Sequence, residues 1–272
     1  MSGDGIQPRA VLDTAAFDLG TNLKIGMIDT GIRTDHGAFA HARLTTRDFV
    51  SYNFKRPKHG TSVASILIGE TDTYHGLVPN AQLYAASVFF NSPTGGEKAT
   101  TENLVQALDW MVKNDVKVIN MSLAGPSNAV LNAAIENAQA HGAIIVAAVG
   151  NDGPGAKPLY PAAYPDVIAV TAVNNRNNIY RLANRGPHID FSAPGVAIRN
   201  AAANNAYKAS SGTSFASPFA TVVLAVSTAA YDQSSQDIIK QLQENALDLG
   251  VKGFDPIYGY GLIKPLPLPP QE

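Results

Sequence analysis

Residues 116–121 (VKVINM) and 143–148 (AIIVAA) are short, β-rich and almost unbroken in apolar side chains. A strand with one wet face alternates apolar and polar residues, so a run without alternation predicts a strand covered on both faces, as in a parallel sheet between helices. The rest of the chain agrees. Strands are also predicted at 24–28 (KIGMI), 82–88, 167–173 and 189–192, with helices at 60–68, 102–114, 129–141, 214–230 and 235–246. The expected fold class is therefore α/β, in three layers, with a mainly parallel central sheet flanked by helices.

Size and composition narrow the function classes. A chain of 272 residues, 45% hydrophobic and 15% charged, can bury one large core, so residues 1–272 are read as a single domain. Residues 1–22 form an N-terminal extension, and 265–272 a Pro-rich tail containing PLPLPP, whose prolines continue neither helix nor central strand. A net charge of −2 and a pI of about 6.3 leave no basic surplus for a nucleic-acid partner. With no cysteine, disulfides, a thiolate nucleophile and Cys-ligated metals are excluded. No run reaches the ~20 uninterrupted apolar residues needed to cross a bilayer, so no membrane partner is expected. Residues 1–10 (MSGDGIQPRA) also lack the basic start and apolar core of an export signal.

In open parallel sheets, ligands gather outside the carboxyl ends of the strands. Asp29 follows KIGMI, Ser122 follows VKVINM and Asn151 follows AIIVAAVG, so three polar residues converge on one rim. Three local motifs stand in chain order: Asp29-Thr30-Gly31-Ile32 at a strand end, His59-Gly60-Thr61 opening a helix, and Ser211-Gly212-Thr213-Ser214-Phe215-Ala216-Ser217-Pro218 opening another. Amide hydrolysis at neutral pH needs a hydroxyl nucleophile, a base that takes its proton and an anion that fixes the base's tautomer. Ser214, His59 and Asp29 supply these in turn. A helix N-terminus gives Ser214 unused backbone N–H groups, and Asn151, released from its strand by Gly150, supplies a side-chain amide, so the pair can stabilise an oxyanion. Each signal alone fits an ordinary helix cap or strand end. Together they give the order Asp, His, Ser, one of three unrelated orders in which such triads occur. His36, His41, His75, His141 and His188 lack a matching nucleophile motif and are read as structural or exposed.

The sequence resembles the subtilase family from about residue 24 to 263: DTGI, HGTSVAS, NMSLAGP, AAVGNDG, LYPAAYPDVIAVTAV, SAPG and GTSFASP all occur in family order. The resemblance implies a three-layer subtilisin-like fold and a serine endopeptidase with Asp29, His59, Ser214 and Asn151 as catalytic residues. It also implies that Ser122, Leu123, Ala124 and Gly125 pair with an extended polypeptide substrate, by the strand addition used in other peptide complexes. Ala148, Val149, Gly150 and Asn151 would form the opposite wall of the P1 pocket, with Leu159 at its base and Thr213 among the substrate-binding residues. From the residues alone, 122–125 also read as a plain turn before Pro126, and Leu159 as a core side chain. No cofactor and no metal are expected, because 70–76 (ETDTYHG) is too short and oxygen-poor for the calcium loop common in the family. The expected partners are the substrate and a propeptide or proteinaceous inhibitor, the chain itself acting as a monomer. Ser62 and Phe219 stand where the family often has histidine, outside the triad. Localisation stays open: family members are typically secreted, whereas a chain complete from Met1 would remain cytoplasmic. The same triad also suits a dedicated processing protease or peptide ligase. A non-catalytic binding module would be signalled by loss of a triad residue, and a dinucleotide-binding domain by a glycine-rich turn after the first strand. All triad residues are present, and residues 29–34 hold one glycine.

Overall fold

The computed structural model describes residues 5–10, 23–50, 58–92 and 96–267. The first half of the chain gives β1 (Lys24–Asp29), β2 (Arg43–Asp48), α1 (His59–Ile68), β3 (Glu70–Thr71), β4 (Tyr74–His75), β5 (Gln82–Ser87), β6 (Phe89–Asn91), β7 (Glu97–Ala99) and α2 (Thr101–Lys113). The second half gives β8 (Val118–Met121), α3 (Ala129–Ala140), β9 (Ile144–Ala148), β10 (Ile168–Val173), β11 (Phe191–Pro194), β12 (Ile198–Ala201), β13 (Tyr207–Ser210), α4 (Thr213–Ala230) and α5 (Ser235–Asn245). Seven strands form one sheet in the order β11-β10-β9-β8-β1-β5-β2, and every neighbouring pair is parallel.

Alternation along the strands sorts side chains into two cores. In β9, Ile144 and Val146 face one way, with buried residues of α1, α4 and α5. Ile145 and Ala147 face the other, with Leu108 of α2 and Ile135 of α3. Every residue of β9 is buried, which is why its sequence shows no alternation. The three-layer α/β expectation therefore holds. α4 is long and apolar enough to cross a bilayer, yet 72% of it is buried inside the protein, where it serves as the central core helix.

The boundaries differ in places. The strand expected at 189–192 lies at Phe191–Pro194. β2 was not expected: its sequence RLTTRD is polar and its residues are half-buried or exposed, because it forms the sheet edge. Of the N-terminal extension, only residues 5–10 fall within the described residues; Ile6 bonds to the backbone of Ala197 and Arg199 beside β12. The Pro-rich tail is described only to residue 267.

Within residues 70–76, β3 and β4 form a tight hairpin. The Thr73 carbonyl accepts from Gln7 Nε2 at 2.9 Å and from an Arg199 guanidinium N–H at 3.3 Å. His75 pairs with Glu70 at 2.8 Å. Among the described residues, no group of three or more His, Asp or Glu side chains is placed to hold a metal ion.

Candidate active site

β1 delivers Asp29 as its last residue, α1 begins with His59, and α4 begins with Thr213 followed by Ser214. The helices α2, α3 and α5 are capped by the side chains of Thr100, Asn128 and Ser234. α1 and α4 have no such cap, so their first-turn N–H groups are left for the groups of the rim.

At α1, Thr30 Oγ1 takes the Gly60 N–H at 2.7 Å. A side chain at position 60 would put its Cβ 2.2 Å from the Thr30 carbonyl oxygen, so glycine is what allows the helix to start against the end of β1. Asp29 is 1% exposed; its Oδ1 accepts the Thr30 N–H at 2.6 Å, and its two carboxylate oxygens lie 2.8 and 2.9 Å from His59 Nδ1. A carboxylate only accepts, so Nδ1 carries the proton and Nε2 is left with its lone pair. Burial pulls the His59 pKa down, but the charge and hydrogen bond of Asp29 outweigh it, and the ring ends above the ordinary histidine value. Glu97 adds to the rise and Lys208 opposes it. The imidazole packs against Phe215, the residue after Ser214, at 5.7 Å between ring centroids. The start of α4 thus stands beside the histidine.

Asn151 is oriented from the same helix start. Its Oδ1 faces the Thr213 N–H at 3.0 Å and Thr213 Oγ1 at 3.2 Å. A backbone N–H can only donate, so the oxygen of the amide must face it and the NH2 group is turned the other way. Thr213 Oγ1 also accepts the Gly150 N–H at 3.2 Å, tying the end of the β9 segment to α4.

A cavity of about 510 Å³ opens here, lined by Ser122, Leu123, Ala124, Gly125, Ala148, Gly150, Asn151, Asp152, Leu159, Thr213 and Ser214, among others. Most of the expected site residues therefore line this cavity. Asp29 and His59 do not, and connect to the start of α4 through the His59–Phe215 contact. Val149 does not line it either: it is fully buried in the core on the α2–α3 side, its N–H bonded to Val170. Gly125 is also spent, because its N–H and C=O both bond to Tyr160, at 2.8 and 2.9 Å. Leu159 is half-buried and reaches below Gly150, whose φ is +101°; a Cβ on Gly150 would sit 2.6 Å from Leu159 Cδ1.

The other histidines have structural partners or lie apart. His36 bonds to Ala206 O and Ala38 N, and His141 to the Asn137 carbonyl at the end of α3. Several rim residues escaped sequence reasoning. Asn184 receives the Asp152 N–H at 2.8 Å, and nothing in its local sequence signals this. Asn120, Ser217 and Thr221 join Ser122 in a buried polar cluster; Asn120 at least announces itself as the one polar side chain inside the apolar stretch Val118–Met121.

A parallel sheet between helices, with an aspartate, a histidine and a serine at its carboxyl rim, defines the class of subtilisin-like serine peptidases, hydrolases of peptide bonds. The chain matches the Subtilase family, Peptidase_S8, over residues 20–261, and it belongs to that family. It is 34% identical over 249 residues to the minor extracellular protease Epr of Bacillus subtilis, covering 90% of this chain but only 38% of that protein. It is 35% identical over 254 residues to subtilisin DY of Bacillus licheniformis, covering 90% of this chain and 89% of that one. Among solved structures, the prenylagaramide maturation protease PagA matches with a TM-score of 0.77 at 26% identity, covering 89% of this chain and 90% of that one.

Proposed function

We propose that the chain is an endopeptidase that forms an acyl-enzyme on Ser214. His59 Nε2 takes the Ser214 hydroxyl proton as Oγ attacks the scissile carbonyl carbon. The C–N bond then breaks, and His59 returns the proton to the leaving amine. Water repeats the sequence on the ester. Asp29 holds the Nδ1–H tautomer and stabilises the imidazolium that forms. The Asn151 NH2 and the Ser214 N–H meet the oxyanion. The observation that carries this reading is the Asp29–His59 pair packed against Phe215, beside an uncapped helix start that bears Ser214.

The substrate is a polypeptide in extended form. Leu123 and Ala124 line the cavity and offer backbone groups for strand pairing, whereas those of Gly125 are already bonded to Tyr160. This favours pairing along residues 122–124. A propeptide or proteinaceous inhibitor would use the same edge. The test is casein and a chromogenic peptide with purified protein, following the burst of released chromophore. No hydrolysis and no burst would sink the assignment.

The likeness to a maturation protease motivates a second reading, in which the acyl-enzyme serves one dedicated precursor. The chemistry is unchanged and only substrate breadth differs. Cleavage of casein at many sites would exclude it. Transfer of the acyl group to an added peptide amine in preference to water would instead identify a ligase.

A further inference from the structure

The helix that begins with Thr213 and Ser214 contains Pro218, four residues after Ser214. In an α-helix the N–H of residue 218 would bond to the carbonyl of residue 214. Proline has no N–H, so this carbonyl is orphaned at the residue that carries the reactive hydroxyl. Ser122 Oγ replaces the missing donor: it lies 2.9 Å from the Ser214 carbonyl oxygen.

The proton count fixes the direction of the bonds that Ser122 makes to Ser214 and Ser217. A carbonyl only accepts, so the single Ser122 proton goes to Ser214. Ser122 Oγ must then be the acceptor in its 2.7 Å contact with Ser217 Oγ, and it also accepts from Asn120 Nδ2 at 2.9 Å. Thr221 Oγ1 lies 2.9 Å from the Ser217 carbonyl and 3.2 Å from Asn120 Oδ1, so its single proton is shared between two acceptors. Asn120, Ser217 and Thr221 are fully buried and Ser122 is 4% exposed. With two bonds accepted and its proton committed, the Ser122 hydroxyl has no donor left for a substrate.

We infer that the Ser122 side chain is a positioning residue for the nucleophile, supplying across the sheet rim the hydrogen bond that Pro218 removes from the helix, while substrate pairing is left to the backbone of 122–124. The proline thereby moves control of the first turn of α4 from the helix to strand β8. Small displacements of a reacting group cost large factors in rate.

This rests on Ser214 as nucleophile, so the experiment reads two things: labelling of Ser214 by a sulfonyl fluoride, located by peptide mass, and kcat and KM on one peptide. Wild type, Ser122→Ala, Pro218→Ala and the double variant are compared. Labelling absent from wild type would indict the nucleophile assignment itself. With labelling present, Ser122→Ala should lower kcat and the labelling rate by roughly tenfold to a hundredfold, with KM within about twofold. In the double variant the restored N–H of residue 218 should reach the Ser214 carbonyl and recover most of that loss. The stability lost with the partners of Asn120 and Ser217 should not recover. A rise in KM alone on Ser122→Ala would make the hydroxyl a substrate contact and overturn the inference, as would a double variant no faster than Ser122→Ala. Should Ser122→Ala fail to fold alone, the double variant decides: near wild-type kcat supports the inference, and an inactive or unfolded protein overturns it.

Discussion

Two cavities of similar size lie at opposite ends of the same strands. The one at the carboxyl rim, where β1, β8 and β9 all end, is about 510 Å³ and is lined from the ends of β8 and β9 and from the start of α4. The one at the amino rim, about 460 Å³, is lined by Leu23, Lys24, Val118 and Ile144 at the other ends of those strands, and by Ala225 and Thr228 near the end of α4. Volume does not separate them. The carboxyl rim has two uncapped helix N-termini, a buried carboxylate and polar side chains bonded to one another before any ligand arrives. At the amino rim the charged groups Lys117 and Asp115 pair with each other at 2.8 Å, both more than half exposed. What makes a site is oriented polarity already desolvated, and only one rim has it.

Ser214→Ala is the hardest test of that contrast. It should cut kcat/KM by roughly a hundred-thousand-fold while the melting temperature changes little, since a half-buried hydroxyl is exchanged for hydrogen. Lys117→Ala at the amino rim should leave kcat/KM unchanged. A Ser214→Ala protein with full peptidase activity would falsify the triad. Asn151→Ala comes next: kcat should fall about 100- to 1,000-fold with KM nearly constant, because the amide meets charge that exists only in the transition state. A change confined to KM would make Asn151 a ground-state contact.

Proton equilibria sharpen the comparison further. His59 must be neutral to act as base, and its pKa is raised, so kcat/KM should fall as pH drops through a value above the ordinary 6.5. Glu97→Gln should move this acid limb to lower pH and Lys208→Ala to higher pH, both shifts shrinking in salt. Limbs unmoved by either change would mean that the two charges do not reach the histidine. The smallest effect concerns P1. Because Leu159 occupies cavity volume below Gly150, substrates with P1 Leu, Met or Ala should outrank Phe and Tyr. Leu159→Gly should shift the ratio toward P1 Phe by about tenfold, the scale of one or two methylenes in a pocket. A ratio that stays put would place Leu159 outside the pocket base.

The sequence was most readable where burial was complete. β8 and β9 are buried at every residue, so their apolar runs revealed both the strands and the two-sided cover. The motifs around Asp29, His59 and Ser214 were readable because each sits at an element terminus, where a polar residue beside an apolar run stands out. β2 was hidden because an edge strand with charged, exposed residues carries no alternation. The pairs β3–β4 and β6–β7 are two or three residues long, too short for any period. The spent backbone of Gly125 and the inward turn of Val149 depend on contacts with Tyr160 and with the core, which are distant in sequence or set by backbone direction. The polar cluster behind Ser214 did leave signs: a proline inside a helix pattern, and an asparagine inside a strand. Either asks where a missing hydrogen bond is made.

A peptidase works in a solution of its own copies, and a segment is cut only if it can be drawn out as a strand. Residues 216–227 of α4 are all buried, so the backbone that follows Ser214 reaches solvent only when the core opens as a whole. Self-digestion is therefore steered to the periphery, toward turns such as 250–254, where Val251 is 72% and Phe254 44% exposed. The working end of the molecule therefore shares the lifetime of its global fold.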